Sequence, residues 1–184
     1  MFQGKAIFLD RDGVINEKLP GDEYVGSADQ FRLLPGVVDA LKIFRRLGFM
    51  LAVVTNQRGV ALQKITEEDV NRVHEHMNEL LRSQGIRIDR ITHCPHDNND
   101  PQCRCRKPKP GLILRTARTL GLNLHESYMV GDSVSDIEAG RNAGIGVTVF
   151  IGAENVPRAD LCFPGLLGFA QYLLRMQGAK KGSE

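Results

Sequence analysis

With 184 residues, 42% of them hydrophobic, the chain fits one domain with a full core, and its formal charge of +2 argues against a nucleic-acid-binding surface. No apolar run approaches the ~20 residues that cross a bilayer. The first apolar run starts too near residue 1 to leave room for a signal peptide. The expectation is a cytoplasmic monomer with no membrane or nucleic-acid partner, whose four cysteines are ligands or reduced thiols.

In chain order, Ala6-Ile7-Phe8-Leu9 reads as a buried strand running into Asp10-Arg11-Asp12-Gly13-Val14. Val37, Leu41 and Phe44 share a helical face after Pro35-Gly36. Phe49 to Val54 is a second strand, ending at Thr55-Asn56-Gln57. Val70, Val73, Met77 and Leu80 predict a helix behind a capping pair, Thr66 and Asp69. Ile88 to His93 is a weaker strand. Ile113, Ala117 and Leu120 share a helical face that Gly121 stops. Tyr128-Met129-Val130 is a strand ending at Gly131-Asp132. Ile137 leads a short helix that ends near Gly144, Val147 to Phe150 is a fifth strand, and a last helix covers about Leu166 to Met176. One domain over 1–177 is expected, with a disordered tail over 178–184.

Alternating β and α elements predict an α/β, Rossmann-like parallel sheet with helices on both faces. Ligands of such sheets bind beyond the carboxyl ends of the strands. Parallel strands would carry Asp10 and Asp12, Thr55 and Asn56, and Asp132 to one edge.

Two carboxylates crowded onto a strand-to-loop turn repel each other unless a cation or proton lies between them. A hard cation such as Mg²⁺ suits that turn, since it takes carboxylates together with substrate phosphate. An exposed acidic turn closed by Gly13 is the bland alternative. Asp10 is the candidate nucleophile on phosphorus and Asp12 the candidate acid/base. Asp132 would complete the Mg²⁺ shell with Asp10 and a backbone carbonyl near Asp12. Asp136 would act behind the ligands or serve as a helix N-terminal charge. Thr55, Asn56 and Lys107 offer donors and a cation to a phosphoryl group.

Cys94-Pro95-His96 and Cys103-Arg104-Cys105 put four ligands in one short loop, which fits a closed, structural Zn²⁺ site. Such a knot would stiffen the loop and aim Arg106 and Lys107 at the strand edge.

On these residues the chain resembles the haloacid dehalogenase superfamily of aspartate-nucleophile phosphatases. Its four motifs are matched by Asp10-Arg11-Asp12-Gly13-Val14, Thr55-Asn56-Gln57, Lys107, and Gly131-Asp132-Ser133-Val134-Ser135-Asp136. The zinc loop, Cys105-Arg106-Lys107-Pro108 and Tyr24 are similar to the subfamily of D-glycero-D-manno-heptose-1,7-bisphosphate 7-phosphatases and histidinol-phosphatases. The resemblance implies Asp10 as nucleophile, Asp12 as acid/base, Thr55 and Lys107 on the phosphoryl group, and Arg106 in substrate recognition. It implies Mg²⁺ on Asp10, Asp12 and Asp132, Zn²⁺ on Cys94, His96, Cys103 and Cys105, and a small phosphorylated metabolite, a sugar bisphosphate, as substrate.

Where the heptose enzymes run Ser-Gly-Ile-Ala-Arg-Gly after Thr-Asn-Gln, this chain has Arg58-Gly59-Val60-Ala61-Leu62-Gln63. No helical cap is apparent, so the loop side chains Tyr24, Asn56, Gln57, Arg58 and Arg106 are expected to choose the substrate. Arg58, Lys64 or Lys109 would suit a second phosphate. Histidinol phosphate is an alternative substrate. A phosphoryl-receiver or binding module without hydrolysis is an alternative class, which the second acid at position 12 argues against.

Overall fold

The central strand explains the layering. In β1 (Ala6–Leu9) all four side chains are buried. Alternation along a strand sends Ile7 and Leu9 to one face and Ala6 and Phe8 to the other. A computed structural model, which describes residues 4–153, 156 and 158–181 and the side chains up to 179, separates two apolar clusters accordingly. Ile7 and Leu9 pack with residues of α1 (Val37–Arg46), α2 (Glu67–Ser83) and α5 (Leu166–Lys181). Ala6 and Phe8 pack with residues of α3 (Gly111–Leu120) and α4 (Val134–Ala143).

The other strands are β2 (Met50–Asn56), β3 (Arg90–Cys94), β4 (Tyr128–Gly131), β5 (Val147–Ile151) and β6 (Leu161–Phe163). They form one sheet in the order β3-β2-β1-β4-β5-β6, every pair parallel. The expected α/β architecture is therefore present. The chain fills the sheet outward from β1 to β3, then restarts on the other side of β1 with β4. That reversal opens a crevice beyond the carboxyl ends of β1 and β4.

Local chemistry sets the helix ends. The Thr66 hydroxyl accepts from the Asp69 amide at 3.0 Å, and the Asp69 carboxylate accepts from the Thr66 amide at 2.7 Å. Gly121 and Gly144 end α3 and α4 with φ of 65° and 79°, the left-handed conformation that costs glycine little. Residues 13–36 hold no α-helix or full strand, only a short 3-10 turn, Ala28–Gln30, and isolated bridges at Asn16 and Leu33.

Two elements depart from expectation. β6 has three half-buried residues, too short for a hydrophobic period to register. α5 runs to Lys181 and takes in part of the expected disordered tail. Gly178 costs about 1 kcal/mol against alanine in a helix, but Ala179, Lys180 and Lys181 are good helix formers. The remainder of that tail, 182–184, lies outside the described residues. Among the described residues no helix is long and apolar enough to cross a membrane.

Candidate active site

A cavity of about 280 Å³ opens at the crevice between β1 and β4, lined by Asp10, Asp12, Thr55, Asn56, Lys107, Asp132, Ser135 and Asp136 on the sheet side and by Lys18 and Tyr24 on the loop side. β1 delivers Asp10, whose amide donates to the Val130 carbonyl at 2.9 Å and so seats the turn against β4. β4 delivers Asp132, and the first turn of α4 delivers Asp136. Oxygens of these three carboxylates lie within 4.8 Å of one another.

Lys107 reaches the same point from the loop before α3. Its ammonium lies 2.9 Å from Asp10 Oδ1 and 2.6 Å from Asp136 Oδ1, and it donates to the Val54 carbonyl at 2.9 Å. Lys107 and Asp136 are buried. Asp136 Oδ2 accepts from the Ser133 amide at 3.1 Å and hydroxyl at 2.7 Å. Asp136 is thus tied to the helix N-terminus and also faces the cluster.

Three acids against one buried ammonium leave two negative charges when all ionise. The solvent-exposed Lys18, whose ammonium lies 3.2 Å from Asp132 Oδ2, offsets that only in part. Burial is the main reason the Asp10 carboxyl is pushed up to about 6, against the pull of Lys107. Burial and the neighbouring Asp10 also raise Asp132.

Asp12 is treated differently. Its carboxylate is absent from that cluster and is held by the Arg11 guanidinium, with Asn16 Nδ2 donating to Oδ1 at 2.9 Å and Gln57 Nε2 to Oδ2 at 2.9 Å. Burial pushes it up, but Arg11 and the two amides outweigh burial and hold it below the usual carboxylate range. Gly13 makes the turn possible: its φ is +88°, and a Cβ there would meet Asp132 Oδ2 at 2.3 Å.

Several other expected substrate residues are engaged elsewhere. Asn56 clamps the lysine loop, its Oδ1 accepting from the Lys107 amide and its Nδ2 donating to the Lys107 carbonyl, both at 3.1 Å. Buried Gln57 serves Asp12 and Thr55 Oγ1. Arg58 pairs with Asp97 at 2.8 Å and lines neither this cavity nor its neighbour. Lys64 donates to the Asp22 carbonyl and Lys109 to the Cys103 carbonyl. Arg106 lines a second cavity of about 320 Å³, which shares Asn56, Lys107 and Ser135 with the first. Thr55 and Tyr24 do face the first cavity.

Sequence reasoning missed Lys18, Arg11, Asn16 and His74. Only Arg11 carried a signal, a basic residue set between two acids. The lysine comes from an irregular loop, and His74 resembles any packed helical residue.

The Cys/His cluster is compact. Cys94 and Cys103 sulfurs are 3.7 Å apart, Cys103 and Cys105 3.6 Å, and His96 Nδ1 is 3.3 Å from both Cys94 and Cys105. Tetrahedral bonds near 2.3 Å to sulfur and 2.0 Å to nitrogen separate such ligands by about 3.5–3.8 Å. The four can hold one ion.

His74 is nearly buried on α2, and its Nε2 lies 3.2 Å from Arg11 Nη1. Burial, then the Arg11 charge and His93, lower its pKa to about 3, so it is neutral and accepts from the guanidinium. Unfolding frees it to titrate near 6.5, so below that pH the unfolded chain binds the extra proton. Stability at this residue is complete above about pH 6.5 and is lost as pH falls toward 3, at about 1.4 kcal/mol per unit. Urea titrations of wild type and His74→Gln at pH 7 and pH 5 should therefore converge by about 2 kcal/mol at the lower pH.

Comparison with known proteins agrees with this geometry. A family model described as haloacid dehalogenase-like hydrolase matches residues 4–144. A D-glycero-beta-D-manno-heptose-1,7-bisphosphate 7-phosphatase of Rhodopseudomonas palustris is 42% identical over 146 residues, covering 76% of this chain and 79% of that protein. Its counterpart from Escherichia coli K12 is 39% identical over 166 residues, 84% of each chain. The crystal structure of D,D-heptose 1,7-bisphosphate phosphatase from B. bronchiseptica, complexed with magnesium and phosphate, superposes with a TM-score of 0.84 at 31% identity, covering 94% of this chain and 99% of that one. Strand order, the acidic crevice and these matches agree that the chain belongs to the haloacid dehalogenase-like hydrolases and is a phosphatase of that superfamily.

Proposed function

We propose that the chain is a Mg²⁺-dependent phosphomonoesterase that removes the 7-phosphate of D-glycero-D-manno-heptose 1,7-bisphosphate through an aspartyl-phosphate. The observation that carries the chemistry is the charge count of the crevice: three converging carboxylates and one buried lysine call for a divalent cation. Asp10 and Asp132 would hold Mg²⁺, with Asp12 contributing its main-chain carbonyl and Asp136 behind them. The ion, when bound, neutralises phosphoryl oxygens.

An Asp10 oxygen attacks phosphorus, the bond from phosphorus to the ester oxygen breaks, and that oxygen takes the proton of Asp12. Water then attacks the aspartyl-phosphate and gives its proton back to Asp12, and the bond from Asp10 to phosphorus breaks, releasing inorganic phosphate. The low proton affinity of Asp12 in the free protein is compatible with this. A phosphate dianion entering beside it adds like charge and favours its protonated form. Thr55 and Lys107 neutralise and orient the phosphoryl oxygens.

The substrate assignment is supported by the names and overlap of the relatives. The adjoining cavity with Arg106 on its wall suits a second anionic group. The sheet and both helical layers come from one run of chain, which supports a single hydrolase domain over 1–177. A turnover panel of heptose 1,7-bisphosphate, histidinol phosphate and other small phosphate esters, each with and without Mg²⁺, tests the reading. Magnesium-dependent preference for the heptose ester is expected. Preference for histidinol phosphate would reassign the substrate, and no turnover of any ester would end the proposal.

The Cys94, His96, Cys103 and Cys105 cluster is inferred to hold structural Zn²⁺, because four protein ligands leave no open position. The Arg106 amide donates to Cys103 Sγ at 3.3 Å, so the metal knot and the lysine loop are continuous. Chelating the zinc, or Cys105→Ser, should cut Mg²⁺-supported kcat roughly 10²-fold by displacing Lys107. Elemental analysis should find one zinc per chain in wild type.

A further inference from the structure

Arg11 is the largest fully buried side chain among the described residues. Its Nη2 lies 3.0 Å from both oxygens of Asp12, and its Nε lies 3.2 Å from Asp12 Oδ1. The remaining Nη1 points away from the cavity to His74 Nε2 at 3.2 Å. His74 is packed in turn against His93 of β3, whose Nε2 lies 2.7 Å from Glu67. A line of side chains thus runs from α2 and the edge strand to one carboxylate in the crevice.

A buried ion pair contributes little net stability, since desolvation offsets its attraction, and an apolar residue of similar volume would fill the same space. What this pair does supply is direction. Asp12 is two residues from Asp10 and lines the same cavity as the three clustered carboxylates. The Arg11 fork, with Asn16 and Gln57 on the other lone pairs, holds it apart.

We propose that Arg11, itself anchored by His74, is a positioning residue that aims the Asp12 carboxyl at the ester oxygen. This rests on the reading of Asp12 as acid/base, and the test separates the two. Protonation matters most when the departing group is an alkoxide and least when it is a stable phenolate. kcat/KM reports steps only through formation of the aspartyl-phosphate, where the acid acts.

The experiment compares kcat/KM for heptose 1,7-bisphosphate and for 4-nitrophenyl phosphate in wild type, Arg11→Met, His74→Leu, His74→Gln and Asp12→Asn. Arg11→Met is expected to lose about 10²-fold on the sugar ester and less than about 10-fold on the aryl ester. His74→Leu should show a weaker loss with the same selectivity, and His74→Gln, which still accepts from Arg11, should restore it. Equal losses on both esters in Arg11→Met, or no loss, would overturn the positioning role. A gain on the sugar ester would assign Arg11 a purely electrostatic effect and overturn it as well. If Arg11→Met does not fold, the two His74 variants decide: selective loss restored by glutamine supports the role, and its absence refutes it. An Asp12→Asn variant whose loss is the same on both esters would remove Asp12 as the acid, and the positioning claim would fall with that reading rather than by itself.

Discussion

Asp10→Asn should abolish turnover, lowering kcat by about 10⁴-fold or more, while the protein stays folded. Removing the proposed nucleophile eliminates the two-step path, and losses of this order follow when one member of a catalytic unit is deleted. Folding should survive because Asp10 costs the native state energy. Its carboxyl is buried, pushed up to about 6, and faces Asp132 and Asp136. An asparagine removes that repulsion, and Lys107 keeps Asp136 at 2.6 Å. In metal-free buffer the variant should melt at or above the wild-type temperature. Acid-quenched wild type should carry phosphate on protein after a pulse of labelled substrate, and the variant should carry none. Activity near wild type in the variant would show that some other group attacks phosphorus.

Lys107→Met should have the largest effect on stability, about 3–5 kcal/mol. Lys107 is 3% exposed and sits between two carboxylates, one of them, Asp136, fully buried. Deleting the ammonium leaves buried acids facing each other with no counter-charge, and the Val54 carbonyl loses its donor. Urea denaturation at pH 7 without divalent metal measures the loss. Adding Asp136→Asn to the variant should restore most of it, because the unmatched charge goes with the lysine. If the double variant is no more stable than the single one, the destabilisation comes from lost packing. Activity should fall about 10²–10³-fold in the single variant, since the proposed donor to the phosphoryl group is gone.

The parts of the site that were legible in the sequence share one physical origin. Asp10, Thr55 and Asp132 each follow an apolar run, and parallel strands must end on the same edge. Their convergence follows from topology without knowledge of any side-chain torsion. The Cys/His cluster was legible because its members lie close along the chain. The capping pair at Thr66 and the stop at Gly121 are local, and both are present.

Asn56 and Gln57 show the opposite case, in which the partners of a side chain are set by distant chain. An amide next to Thr55 looks available to a ligand, but its partners come from distant chain: the Lys107 backbone for Asn56 and the Asp12 carboxylate for Gln57. Arg58 likewise looked like a phosphate ligand until the loop after β3 brought Asp97 to within 2.8 Å.

From its sequence alone the chain determined its layer order, its family, the acids at the sheet edge and the four soft ligands, because these depend on hydrophobic period and residue type. Which carboxylate joins the cluster and which is held apart was decided only in three dimensions. Asp10 and Asp12 are the same residue type two positions apart, and the difference between them is the company each keeps. Asp10 meets Lys107, Asp132 and Asp136, while Asp12 meets Arg11, Asn16 and Gln57. Proton affinity and direction are set by such neighbours, and most of those neighbours lie far away along the chain.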